Sequence, residues 1–214
     1  QRHTPPDRLV HIPPGVKLPD SSSSTSIAPI NTPYILSVGR LEWIKGHDIL
    51  LRAWAQINNT SPLSSWQLVI VGDGSYRRFL KRLAKQLGIS HRCILMGEVA
   101  PAKVEALLKG ASLFILPSRS EAMPLSLLEA MGHARACVAA HVGGIPEVIE
   151  HAKNGWLVPP ESPEHLARAI MQLARNMEQA YTLGNAARLR VTQSFSLQKF
   201  LSSMAEIYNI PYNF

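Results

Sequence analysis

Apolar positions in this chain fall into two alternating patterns. Short continuous runs bounded by Gly, Pro or Ser predict buried strands at residues 34–39, 66–71, 93–96, 113–116, 137–140 and 155–158. Between them apolar residues recur at helical spacing: Leu50, Ala53, Trp54 and Ile57, then Tyr76, Leu80, Leu83 and Leu87, then Val104, Leu107 and Leu108. Gly88 closes the second of these helices, and Pro101 opens the third. Pro124 predicts a further helix start, because its missing N–H costs nothing at a first helical position. A short helix is expected around 145–149. After Pro159 and Pro160 only helical patterns remain, near 163–177, 181–191 and 197–208. Residues 1–32 are rich in Pro and Ser and read as linker, with one short strand at 9–17 ended by a turn.

Strands that alternate with helices need crossover connections, so the expected fold is α/β. It is a Rossmann-like parallel sheet of about six strands with helices on both faces and a helical C-terminal extension. Ligands of such sheets bind beyond the C-terminal ends of the strands. The loops after Gly39, Val71, Met96, Leu116 and Ala140 therefore share one rim.

The most informative stretch on that rim is 117–131. The run Leu113–Leu116 ends at Pro117, the chain turns, and a helix begins near Pro124, with Glu121 before it and Glu129 on its second turn. The amides of Met123, Leu125 and Ser126 have no partner within the helix, which makes its start a potential anion site. A carboxylate accepts hydrogen bonds from two adjacent hydroxyls, on a ribose or a hexose. A helix start flanked by two acids thus suits a nucleotide-sugar, although acids also cap and solvate helices without any ligand. The loop after the first strand adds Arg40, a planar fork for phosphate, and Lys45, a point charge. Gly39 and Gly144 let backbone approach closely. Gly72-Asp73-Gly74 fits a tight turn rather than a dinucleotide fingerprint, since no Gly-x-Gly-x-x-Gly opens the next helix.

Composition narrows the partners. Lys and Arg exceed Asp and Glu by seven, which favours anions. Much of this charge lies in Arg77, Arg78, Lys81, Arg82 and Lys85. That run reads as a solvated helix face, or else as a face toward acidic membrane. Aromatic and basic residues do not alternate through it in the way a base-stacking surface needs, so nucleic acid is not expected as a partner. Cys93 and Cys137 sit in apolar runs as buried thiols of a reducing, cytoplasmic setting. No apolar run reaches membrane-spanning length, and no signal peptide opens the sequence. No Asp-x-Asp pair or His/Cys cluster asks for a metal or other cofactor.

An ordered series of motifs resembles the group 1 glycosyltransferases, family 4 retaining enzymes of GT-B architecture. It comprises Val38-Gly-Arg-Leu41 with Lys45-Gly46, Val71-Gly-Asp-Gly74, Met96-Gly-Glu98, Pro117-Ser118, and Glu121 and Glu129 with Ala130-Met131. Gly143-Gly144-Ile-Pro-Glu147, Asn154-Gly155 and Leu157-Val158 continue it. The resemblance covers about 34–173 and matches only the C-terminal, donor-binding half of a GT-B fold. It implies a linker from an N-terminal acceptor domain at 1–32 and a nucleotide-sugar donor domain at 33–193. Residues 194–214 would be a terminal helix packing back toward that other domain.

Carried over by motif, the resemblance implies that Arg40 and Lys45 hold the donor diphosphate. Glu121 would bond hydroxyls of the transferred sugar and Glu129 those of the ribose. The amides at Met123 and Leu125, around Pro124, would face phosphate, and Gly97 and Glu98 would position the nucleobase. Ala122 replaces a glycine common in the family, so its methyl crowds the sugar side. The donor would be a UDP-, GDP- or ADP-sugar and the acceptor a surface polysaccharide or lipid, at the inner face of the membrane. The isolated chain would bind donor and transfer poorly. The other readings are a non-catalytic nucleotide-sugar binding module and a sugar-nucleotide 2-epimerase of the same architecture.

Overall fold

The computed structural model describes residues 10–19, 30–57 and 63–208. Six strands, β1 (Tyr34–Val38), β2 (Gln67–Val71), β3 (Cys93–Gly97), β4 (Leu113–Leu116), β5 (Ala136–Ala140) and β6 (Trp156–Val158), form one sheet in the order β3-β2-β1-β4-β5-β6. Every neighbouring pair is parallel. This is the expected architecture, and the alternation of side chains explains why the strands read as continuous apolar runs. Ile35, Ile70, Ile115 and Val138 enter one core, and Leu36, Val69, Phe114 and Cys137 enter the other.

The first core is closed by α1 (His47–Gln56), α2 (Arg77–Gln86) and α6 (Pro163–Arg175), through Leu50, Trp54, Leu80, Leu83, Ile170 and Leu173. Trp54 is fully buried, and its indole N–H donates to the Arg92 carbonyl at 3.2 Å. The second core is closed by α3 (Pro101–Gly110), α4 (Leu125–Gly132), α5 (Ile145–Val148) and α7 (Met177–Ser194). The last helix, α8 (Leu197–Tyr208), follows at once and buries none of its residues.

Three boundaries differ from expectation for local reasons. Pro124 is not the first helical residue. It is buried and extended (φ −81°, ψ 107°), and its carbonyl accepts from the Leu127 and Leu128 amides, so α4 begins at Leu125. Asn176 ends α6, and its side chain caps the next helix by accepting from the Gln179 amide at 3.0 Å, so α7 runs well beyond 181–191. The strand expected at 9–17 is absent from residues 10–17, Leu9 lying outside the described residues, as do 20–29. Pro13 and Pro14 remove ladder donors there. Only Val16 bridges, to Ser196, with its amide on the Phe195 carbonyl and its carbonyl on the Leu197 amide, both at 2.9 Å.

The strand order places the site. Successive strands step from β1 through β2 to β3 in one direction, and from β4 through β5 to β6 in the other. The order reverses between β1 and β4, and the crevice beyond their C-terminal ends is where ligands of open α/β sheets bind.

Candidate functional site

Two loops meet at that crevice. After β1 the chain passes Gly39 and Arg40, makes a 3-10 turn over Trp43–Lys45, and enters α1 through Gly46 at φ 66°. A Cβ on Gly46 would lie 2.0 Å from the Pro117 carbonyl oxygen, so only glycine lets this loop approach the one after β4. The approach brings Lys45 Nζ to 2.6 Å from Glu121 Oε1, and Ser118 Oγ donates to the same oxygen at 2.7 Å. Both charged side chains are mostly buried, and the contacts at Glu121 end on Oε1, leaving Oε2 clear of them.

From the other side, the Gly144 amide donates to the Glu121 carbonyl at 3.0 Å. Cβ atoms on Gly143 (φ 52°) and Gly144 would lie 1.7 Å from the Glu121 oxygen and 1.9 Å from the Ala122 oxygen. Gly144 thus packs against the Glu121–Ala122 backbone, with its N–H engaged there. Gly39 sits in a looser setting. A Cβ there would meet only Lys45 and His47 side-chain carbons, at 3.8 and 3.9 Å, so packing does not demand glycine at 39. The demand falls on Gly72 (φ 132°), where a Cβ would lie 2.0 Å from the Gly39 oxygen.

The start of α4 keeps its amides available. Among the described residues nothing accepts from the Met123, Leu125 or Ser126 N–H. Met123 is half-buried against the second core, and Leu125 is exposed. One turn on, Glu129 lines a cavity of about 580 Å³ together with Val38, Val99, Val104 and Leu108. Lys17, Leu18, Pro19, Pro101, Glu105 and His133 complete its wall. Although Glu129 presents surface to solvent, crowding in this cavity pushes its carboxyl pKa up.

Gly97 (φ 81°) ends β3, and its carbonyl accepts from the Gly72 amide at 2.9 Å. Gly97 is buried and Glu98 exposed beside it, but neither lines the cavity; the next residue, Val99, does. Arg40 is exposed on the rim, and among the described residues no hydrogen bond or ion pair holds its guanidinium, although its charge reaches Glu42. His47 lies beneath the same loop, almost wholly buried, with Nδ1 unpartnered. Burial, with Lys45 nearby, pushes its imidazole down to about 4. Among the described residues no group of His, Cys, Asp or Glu converges as a metal site.

Val99, Asp48 and Arg119 escaped the sequence reading, and Val104 was read only as a helix-packing residue. Val99 was legible as the first apolar residue after Gly97-Glu98. The Asp48–Arg119 pair was not, since the partners are 71 residues apart in sequence and meet only through the strand order.

This geometry has counterparts. The family model described as glycosyl transferases group 1 matches residues 23–190. A D-inositol 3-phosphate glycosyltransferase of Acidothermus cellulolyticus is 35% identical over 182 residues, covering 78% of this chain and 41% of that protein. The HepE protein of Anabaena, solved with UDP and glucose, superposes with a TM-score of 0.77 at 26% identity, over 84% of this chain and 48% of its own. The C-terminal domain of a group 1 glycosyl transferase from Francisella tularensis superposes with a TM-score of 0.70 at 24% identity, over 78% of this chain and 89% of that domain. The chain spans about half the length of the curated relatives it matches.

Proposed function

The chain belongs to the group 1 glycosyltransferases, and from that premise we propose that it is the donor-binding half of a retaining enzyme. It takes a nucleoside-diphosphate sugar and needs no metal. Arg40 and Lys45 hold the diphosphate, assisted by the free amides at the start of α4. Glu129 accepts the ribose hydroxyls, the base enters the cavity beside Val99 and Val104, and Glu121 Oε2 faces the sugar. The observation that carries this reading is the pairing of Lys45 with Glu121 at the strand switch point, with Glu129 and its cavity on the second turn of the helix that follows.

The chemistry is electrostatic. As the bond from the anomeric carbon to the diphosphate breaks, negative charge grows on the departing phosphate. Cations and amides already aimed there stabilise it without reorganising. The acceptor, a polysaccharide or lipid, would come from a second, N-terminal domain across the cleft. This chain alone would therefore bind donor and transfer poorly. Among the described residues no helix is long and apolar enough to cross a membrane. The exposed Arg78, Lys81, Arg82 and Lys85 of α2 suit a peripheral position on acidic lipid at the cytoplasmic face.

Titration calorimetry with UDP, GDP and ADP tests the reading. UDP comes first because the Anabaena protein was solved with it. One nucleotide should bind, and Glu129→Ala should abolish that binding. Absence of binding by all three, in this chain and in a longer one carrying the acceptor domain, would overturn it.

A further inference from the structure

Arg119 sits two residues before Glu121 and ties that loop to two other segments. Its amide donates to the Ile44 carbonyl at 2.8 Å, and its Nη1 donates to the Trp43 carbonyl at 2.6 Å. Nη1 and Nη2 each reach one oxygen of Asp48 at 2.9 Å, and Nε reaches Glu161 Oε1 at 2.9 Å. The guanidinium also lies over the Trp43 ring, 4.6 Å from its centre. Trp43 and Ile44 belong to the turn that delivers Lys45, Asp48 to the first turn of α1, and Glu161 to the segment after β6. The Arg119 and Asp48 side chains are each only 11% exposed, whereas Glu161 is open to solvent at 60%.

We infer that Arg119 is a positioning residue: it locks the loop after β1 against the loop after β4 and so holds Lys45 and Glu121 at contact distance. Arginine is required because the work is geometric. A planar fork can give two parallel bonds to one carboxylate while its third edge serves another acceptor, and a lysine ammonium cannot do both. The pair is shielded from water, so it holds its geometry rather than exchanging with solvent. Asp48 is half of the device. Burial pushes its carboxyl up, but the hydrogen bonds and charge of Arg119 outweigh this and leave it below the usual carboxylate range. Neither residue touches donor, and their effect on donor is carried entirely by Lys45 and Glu121.

The inference rests on the proposed donor site, and it makes a selective prediction. Glu129 and the cavity do not depend on Arg119, whereas the diphosphate and sugar contacts do. Dissociation constants are measured for the monophosphates and the diphosphate-glucoses of uridine, guanosine and adenosine, on wild type, Arg119→Lys, Asp48→Asn and the double variant. Arg119→Lys should weaken the diphosphate-glucose by about tenfold or more while leaving the monophosphate within about twofold. Asp48→Asn should do the same, and the double variant should lose no more than either single one. Should Arg119→Lys not fold, the isosteric Asp48→Asn breaks the same shielded pair and carries the comparison alone. Equal weakening of both ligands, or of neither, would overturn the positioning role and leave the donor site standing. No wild-type binding at all would remove the donor reading and this inference with it.

Discussion

Lys45 Nζ lies 2.6 Å from Glu121 Oε1, so the cation assigned to phosphate and the carboxylate assigned to sugar are already partners. Ser118 adds a second hydrogen bond to the shared oxygen. A donor therefore competes with Glu121 for Lys45. Glu121→Gln should weaken a nucleoside-diphosphate sugar by about tenfold, yet leave the bare diphosphate unchanged or tighter. Lys45→Met should weaken both by about tenfold or more, since a charge-assisted bond to phosphate is lost in either case. Calorimetry with the two ligands side by side checks the opposite signs. Parallel losses in Glu121→Gln would refute the competition.

That relationship could not be read from the chain. The alternation of apolar runs was enough to place six strands and the rim, because a parallel sheet buried on both faces leaves its signature in each strand separately. The acids Glu121 and Glu129 were legible for the same reason: they flank one local strand-to-helix turn. The pairings Lys45–Glu121 and Asp48–Arg119 depend on β1 and β4 being neighbours in the sheet, which no local pattern encodes. The protein contacts of Gly143 and Gly144 were hidden for a related reason. A glycine needed for close approach looks the same whether the approaching group is a ligand or the protein's own carbonyl.

Glu129 should make nucleotide affinity pH-dependent. Burial raises its carboxyl pKa, and only the ionised form accepts from two ribose hydroxyls. Affinity for the nucleoside monophosphate should therefore rise with pH through the range just above the ordinary carboxylate pKa and then level off. Glu129→Gln should bind about tenfold more weakly at neutral pH. Its affinity should also follow pH less steeply. A wild-type profile that falls with pH over this range would contradict the assignment.

Gly143 tests the far wall of the site. At φ 52°, with room for no Cβ beside the Glu121 carbonyl, alanine there is both strained and overpacked. Gly143→Ala should cost at least ~2 kcal/mol in denaturant unfolding. It should also weaken nucleotide-sugar binding, because the loop that yields is the one carrying Glu121. Gly88→Ala supplies the contrast. Its φ of 71° is equally unfavourable, but a Cβ there meets nothing within 4 Å. It should lose stability only through the backbone term and leave binding untouched. If the two variants behave alike in the binding assay, Gly143 has no special connection to the site.

His47 links this site to acid stability. Desolvation, reinforced by the Lys45 charge, holds its imidazole down at about 4, against 6.5 for the free side chain. Between those values the unfolded chain binds a proton that the folded chain refuses. The unfolded state then carries more protons, so stability rises with pH. The contribution is complete above the unfolded value and is lost as pH falls toward the folded one. From about pH 7 to about pH 5 this single group should remove on the order of 2 kcal/mol. Other groups add to the acid sensitivity, so the informative quantity is the difference from His47→Asn, which has no proton to take up. That variant should start less stable at neutral pH because its packing is disturbed, and it should lose less on acidification. Parallel curves for the two proteins would mean that His47 is not held neutral beneath the loop that carries Lys45.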